Sequence, residues 1–309
     1  MRCLYCYREL RAGEKDYHPA CAKRMFGTAE VPELTFNHNQ LRLLAKTVIR
    51  TQTTVPGVQA KLSVDIQRVE HTSRFTIVGL QGRYIIKPQT EQYAELPENE
   101  DVTMHLAGQA GIATVPHCLA RFADGQLVYL STRIDRTPKG GKIAMEDLCQ
   151  LSEQLTEHKY RGSYEQISKV IQRYSSAPML DVVNFWHEVV FCWLVGNSDM
   201  HLKNFSLYAP KGHYILSPAY DLVNTLAVIP SDPEELALNI NGKKRKIVWA
   251  DFVQAMTRSG VPEKVQENIR KRFLNVQSQW EETIRNSFLS VENQERYWIL
   301  VSSRISALM

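Results

Sequence analysis

The sequence of 309 residues contains no apolar run near the roughly 18 residues that a bilayer-spanning helix requires. Its strongest run, Val189 to Val195, is the length of a core helix. An apolar leader is missing too, because Met1-Arg2-Cys3-Leu4-Tyr5-Cys6 runs straight into charged residues. The expectation is a soluble cytoplasmic protein that makes no use of a membrane. Charge of one sign is also scarce: the net value is +4, too slight for a dedicated nucleic-acid binder and compatible with an anionic ligand. Cysteine is sparse, with six residues at positions 3, 6, 21, 118, 149 and 192, so a disulfide scaffold is excluded. There are no internal repeats and no low-complexity tracts. What remains, 44% hydrophobic and 23% charged, is enough to bury the core of an ordinary two-lobed enzyme.

Three of the cysteines crowd together with a histidine. Cys3-x2-Cys6-x11-His18-x2-Cys21 offers four ligands in two close pairs, the pattern with which a loop-rich segment closes a tetrahedral structural zinc site. Free thiols on a terminal segment are the other reading. Neither carries catalysis, since four protein ligands leave a zinc ion no open position.

Beyond this segment (1–27), helical periodicity runs from Asn39 to Arg50, and strand-like runs follow at Lys61 to Ile66, Arg74 to Val78 and Arg83 to Lys87. A helix is expected after Pro97, with Glu98 and Glu100 in its first turn, stopping at Gly111. Residues Ala120 to Arg136 read as a hairpin turning at Asp124-Gly125. From Asp147 the pattern becomes helical: Tyr164 to Tyr174, then Asp181 to Val195, apolar nearly all round and ended by Gly196. A hairpin from Phe205 to Ser217 and a helical tail beyond Trp249 complete the reading. Residues 28–138 thus form a sheet-rich N-lobe and 139–309 a helical C-lobe, an α+β architecture. Trp186, Phe191 and Trp193 read as core.

The loop that follows the buried helix, Asn197-Ser198-Asp199-Met200-His201-Leu202-Lys203-Asn204, carries the sharpest chemistry. Phosphoryl transfer needs an acid to orient the attacking hydroxyl and oxygen ligands for magnesium. Asp199, Asn204 and, after one short hairpin, Asp221 supply that set, and the Asp-x4-Asn spacing matches the catalytic loop of protein kinases. Lys87, at a strand end in Tyr84-Ile85-Ile86-Lys87-Pro88, is placed to reach phosphates, with Glu100 as a helical carboxylate partner. The segment Thr53 to Lys61 is the candidate loop over the phosphates, with Gly57 its single glycine. His201 either steadies the catalytic loop or contacts phosphate. The Lys243-Lys244-Arg245-Lys246 run, just after the Asn241-Gly242 turn, reads as a solvated hairpin tip.

Six segments occur in the order and approximate spacing of HipA-family kinases: Pro56 to Lys61, Ile85 to Pro88, Glu98 to Glu100, Ile134 to Arg136, Asp199 to Asn204, and Tyr220-Asp221. Leu236 to Lys243 also looks like a family element. The chain therefore resembles HipA-like serine/threonine kinases, and among them the short HipT-like members. The resemblance implies a two-lobed kinase-like fold that uses ATP and Mg²⁺, with Asp199 as catalytic base, Asn204 and Asp221 as magnesium ligands and Lys87 on the phosphates. Gly57, Lys61 and His201 stand beside these as candidate nucleotide contacts from the residue pattern, and the resemblance implies self-phosphorylation just ahead of the Gly-x-Gln-x-Lys segment, where Thr54 and Pro56 stand. Threonine accepts phosphate and proline cannot, which leaves Thr54, with Thr53 beside it. The family is one of toxins from type II toxin–antitoxin systems, so the resemblance also implies a translation component such as an aminoacyl-tRNA synthetase as protein substrate. The implied partners are a helix-turn-helix antitoxin of the HipB kind, reaching DNA only through that antitoxin, and a small HipS-like companion. A catalytically idle kinase fold used for regulation and a small-molecule kinase are the competing readings.

Overall fold

A computed structural model describes residues 1–37, 40–41, 61–69, 72–78, 81–229 and 232–309. Most of the helical stretch expected from Asn39 to Arg50 and most of the phosphate loop, including Thr53, Thr54 and Gly57, lie outside these residues. The chain divides into two compact units, one comprising residues 1–101, 115–142 and 286–288, the other 102–114, 143–285 and 289–309.

The first unit begins with a cysteine-bearing turn and the helix α1 (Pro19–Phe26), whose proline sits where a missing N–H costs nothing and whose end is capped by Gly27 in the left-handed conformation. The strands β1 (Leu62–Val69), β2 (Thr72–Ile77) and β3 (Tyr84–Pro88) precede the helix α2 (Leu96–Gln109). The strands β4 (His117–Arg121) and β5 (Leu127–Thr132) form the hairpin read from Asp124-Gly125. All five strands pair antiparallel in the order β2-β1-β3-β5-β4. Alternating apolar residues of the sheet meet the N-terminal segment in one core: Cys3, Leu4, Tyr17, Ala22 and Phe26 pack with Val64, Phe75, Tyr84, Ile86 and Leu130. Edge-to-face contacts link Phe26 to Phe75 and Phe75 to Tyr84, at centroid distances of 6.0 and 5.7 Å. Residues 1–26 are thus one wall of the sheet's core. The first residues of α2, as far as Asp101, also belong to this unit.

The second unit is built around a helix whose residues 185–195 are all buried. It contains α3 (Leu148–Leu151), α4 (Tyr164–Tyr174), α5 (Pro178–Val195), α6 (Thr225–Val228), α7 (Trp249–Arg258), α8 (Glu263–Asn275), α9 (Gln277–Arg285) and α10 (Val291–Ser306). A small sheet, β6 (Met145–Asp147), β7 (Ser206–Tyr208) and β8 (Ile215–Leu216), lies beside them in that order. Helix α4 starts where Ser163 and Gln166 form a reciprocal capping box. Helix α5 starts at Pro178, three residues before the expected Asp181, because proline is well suited to a helix's first turn. Phe185, Trp186, Val189, Val190 and Phe191 of α5 are fully buried, and Trp193 nearly so. Gly196 ends the helix with φ +73°. The Asn241-Gly242 turn has both residues at positive φ, closing an Ile240–Lys243 bridge. In the basic run beyond it, Lys243 pairs with Asp251 at 2.7 Å and Lys244 with Glu234 at 3.1 Å.

Candidate active site

In the first unit, the antiparallel register sets Lys87 of β3 opposite Tyr129 of β5, and the ammonium lies 5.6 Å from the centre of that ring. Lys87 Nζ donates to Glu100 Oε1 of α2 at 2.7 Å, and both side chains are buried. Such a pair persists because each charge compensates the desolvation of the other. Two residues earlier, Glu98 is pushed up to about 7 by burial. Lys61 is exposed immediately before β1. Burial raises the Asp135 carboxyl, but Arg133 at 2.7 Å and Arg136 at 2.5 Å overcome it and hold it below its ordinary value.

In the second unit, the loop after α5 folds back on itself. The backbone N–H of Asp199 donates to Asn197 Oδ1 at 3.1 Å, and His201 N–H donates to the Asp199 carbonyl at 2.8 Å. Asn204 closes the turn: its backbone N–H donates to the His201 carbonyl and its side-chain amide to the Asp199 carbonyl, both at 3.0 Å. The loop is anchored from three sides. Tyr164 of α4 donates its hydroxyl to the Met200 carbonyl at 3.0 Å, Ser198 meets Thr225 of α6 at 2.9 Å, and Lys203 pairs with Asp147 at 2.8 Å. Held this way, the Asp199 carboxylate stays exposed while its neighbour Met200 and Asn204 are buried.

Asp221 takes φ +61°, a left-handed conformation uncommon in non-glycine residues and tolerated better by aspartate than by most. Its neighbours fix the turn. Ala219 N–H donates to the Ala113 carbonyl at 2.7 Å, Tyr220 hydroxyl meets Ser206 at 2.6 Å and donates to the Lys203 carbonyl at 3.1 Å, and Leu222 is fully buried. The Tyr220 contacts tie the Asp221 turn directly to the loop carrying Asp199 and Asn204.

His201 is buried, with its ring edge-on to Tyr160 at 4.9 Å. Burial, aided by Lys159, depresses its pKa to about 4, so the imidazole is neutral at physiological pH. Its Nδ1 has no hydrogen-bond partner. Sequence reasoning missed Tyr160, whose hydroxyl donates to Asp199 Oδ1. Burial and the adjacent carboxylate both raise this phenol's pKa and keep it a donor. No pattern marks a tyrosine 39 residues upstream of its partner.

A cluster of metal-ligand types lies wholly within the first unit. One ligand atom from each of Cys3, Cys6, His18 and Cys21 falls within 4.8 Å of the other three. None of the six cysteines forms a disulfide.

A model of the HipA-like C-terminal domain matches residues 53–280. A Haemophilus influenzae protein named “Putative kinase” is 28% identical over 284 residues, covering 80% of this chain and 81% of that protein. “Putative kinase Y4dM” of Sinorhizobium fredii is 35% identical over 182 residues, and the match spans 54% of this chain but only 43% of Y4dM. Among solved structures, HipA from a Shewanella oneidensis complex of HipA, HipB and operator DNA superposes with a TM-score of 0.69 at 18% identity, covering 97% of this chain and 79% of that one. The Helicobacter pylori proinflammatory kinase CtkA gives a TM-score of 0.52 at 17% identity, covering 72% and 86%. The α+β fold is therefore that of HipA and CtkA. Among the described residues no helix is long and apolar enough to cross a membrane. With a family model spanning well over half of its length, this chain belongs to the HipA-like C-terminal domain family.

Proposed function

We propose that this chain is an ATP- and Mg²⁺-dependent serine/threonine protein kinase and the toxin of a type II toxin–antitoxin system. The observation that carries the reading is the self-closed loop in which Asn204 holds the Asp199 carbonyl at 3.0 Å while leaving the Asp199 carboxylate exposed. A carboxylate so placed can receive the proton of an incoming hydroxyl, and it is pre-oriented before substrate arrives. The Asn204 and Asp221 side-chain oxygens are hard ligands suited to Mg²⁺, which when bound neutralises charge on the phosphates. Lys87, already oriented by Glu100 and Tyr129, is the phosphate-binding cation. Gly57 and Lys61 belong to the loop over the nucleotide, and Thr54 or Thr53 is the site of self-phosphorylation. Neutral His201 braces the base loop through its contact with Tyr160.

Membership of the HipA-like family supports a toxin role, with a HipB-like helix-turn-helix antitoxin and a small HipS-like companion as partners. A component of translation, such as an aminoacyl-tRNA synthetase, is the substrate class that fits it. The test is peptide mass spectrometry after incubating the purified chain, and separately a cell lysate plus the chain, with Mg²⁺-ATP, beside Asp199→Ala. Phosphate on serine or threonine with the parent and none with the variant is expected. Absence of transfer from the parent to itself and to every lysate protein overturns the reading.

A further inference from the structure

The geometry points to a structural zinc centre at Cys3, Cys6, His18 and Cys21 that clamps the start of the helix bearing Glu100. Each ligand is held by backbone structure. Cys3 opens a tight turn in which its carbonyl accepts from Tyr7 N–H at 3.0 Å and its own N–H donates to the Arg8 carbonyl at 2.8 Å, an arrangement that brings Cys6 back beside it. His18 precedes α1, and Cys21 lies in that helix's first turn, its N–H donating to the His18 carbonyl at 2.9 Å. The histidine is also oriented from behind. Its Nε2 lies 3.0 Å from the Glu9 carbonyl, which can only accept, so Nε2 carries the proton. The Nδ1 lone pair then faces the sulfurs of Cys6 at 3.4 Å and Cys21 at 3.7 Å. A ring nitrogen fixed by a carbonyl on its far side is the usual outer support of a zinc-bound histidine. Three thiolates and one imidazole form a closed tetrahedral set for zinc.

This centre is wired into the unit around it. Leu119 N–H of the edge strand β4 donates to the Leu4 carbonyl at 3.1 Å, covering an edge that would otherwise be open. Tyr17, next to His18, donates its hydroxyl to the Leu119 carbonyl. Tyr7, next to Cys6, is held at φ +61° and donates its hydroxyl to Asp101 Oδ2 at 2.7 Å. The other Asp101 oxygen lies 2.7 Å from His117 Nδ1 of β4. Asp101 follows Glu100 directly, so the cysteine turn, through Tyr7, pins the turn of α2 that presents Glu100 to Lys87. Tyr7 is accordingly a positioning residue.

The consequence for Lys87 rests on the kinase reading; zinc content and backbone mobility do not, so either reading can fail without the other. The test combines metal analysis with amide hydrogen exchange on the full chain, comparing the parent, Cys21→Ala and Tyr7→Phe. One equivalent of zinc is expected on the parent and on Tyr7→Phe, and none on Cys21→Ala. Amides of residues 96–101 should exchange about tenfold faster in Tyr7→Phe, because a hydrogen bond to a buried carboxylate is lost while the metal stays. Chelation of zinc from the parent should speed the same amides, which keeps the test intact where Cys21→Ala does not fold. A parent purified without zinc from zinc-supplemented cells, a Cys21→Ala chain that retains a full equivalent, or a Tyr7→Phe chain whose residues 96–101 exchange at the parent rate each overturns the proposal.

Discussion

Asn204 donates its side-chain amide to the carbonyl of Asp199 at 3.0 Å, so the residue five places downstream fixes the backbone that presents the proposed base. The amide oxygen of Asn204 is left for other work, such as a metal ligand, because only the nitrogen is committed to that contact. One side chain thereby serves both the loop's shape and its proposed chemistry.

Replacing Asp199 with alanine should separate chemistry from folding. The carboxylate is exposed, so its loss should change stability by no more than about 0.5 kcal/mol. A positioned acid or base contributes about a hundred- to ten-thousandfold to rate, and transfer from radiolabelled ATP should fall by that factor. A melting curve and a transfer assay on the same preparation check both parts, and a variant that melts early would mean the loop depends on Asp199 for its structure.

For Lys87 and Glu100 the opposite balance is expected. With both charges buried 2.7 Å apart, Lys87→Met alone strands a carboxylate and should cost about 3–5 kcal/mol in urea unfolding. Adding Glu100→Leu should return most of that loss, since two apolar groups replace an ion pair at small net cost. Nucleotide affinity should stay low in the double variant. Recovery of affinity together with stability would show that the lysine acts only as structure.

What the sequence made legible was local. The helix α4 was bounded at Tyr164 and Tyr174, Gly196 stops α5, and Asn241-Gly242 turns its hairpin, because each is a short-range feature with its own residue signature. The Asp199-x4-Asn204 spacing was readable for the same reason. Tyr160 on Asp199 and Tyr7 on Asp101 were not, being contacts 39 and 94 residues apart that only the packed fold creates. Lys87 and Glu100 stand between these cases: each could be placed on its element from the pattern, but their 2.7 Å contact is set by how α2 lies on the sheet.

Gly196→Ala should damage the loop from its hinge. The position has φ +73°, and an added Cβ would lie 2.6 Å from Leu300 Cδ2 and 3.0 Å from Asn224 Oδ1. Left-handed strain and overpacking together should cost about 2–4 kcal/mol, measurable as a lower urea midpoint with an unchanged slope. Since Thr225 binds the Gly196 carbonyl at 3.0 Å and also Ser198, the displacement should reach Asp199 and lower the transfer rate as well.

Glu188 gives the chain a built-in pH dependence. It lies on α5 with 3% of its surface exposed, and its Oε1 has no hydrogen-bond partner. Burial raises its pKa from the ordinary 4.5 to about 8. The folded state therefore favours the protonated acid, and that contribution is fully present below pH 4.5 and is lost as pH climbs through about 8. At pH 9 the folded chain must either ionise a buried carboxyl or hold its proton against the solvent, at a cost on the order of 4 kcal/mol. Glu188→Gln keeps the shape and removes the titration. The variant should melt close to the parent at pH 5 and clearly above it at pH 9, by several degrees in calorimetry. Parallel curves for the two proteins from pH 5 to 9 would mean that the carboxylate finds compensation on ionising, and that burial alone does not set its protonation.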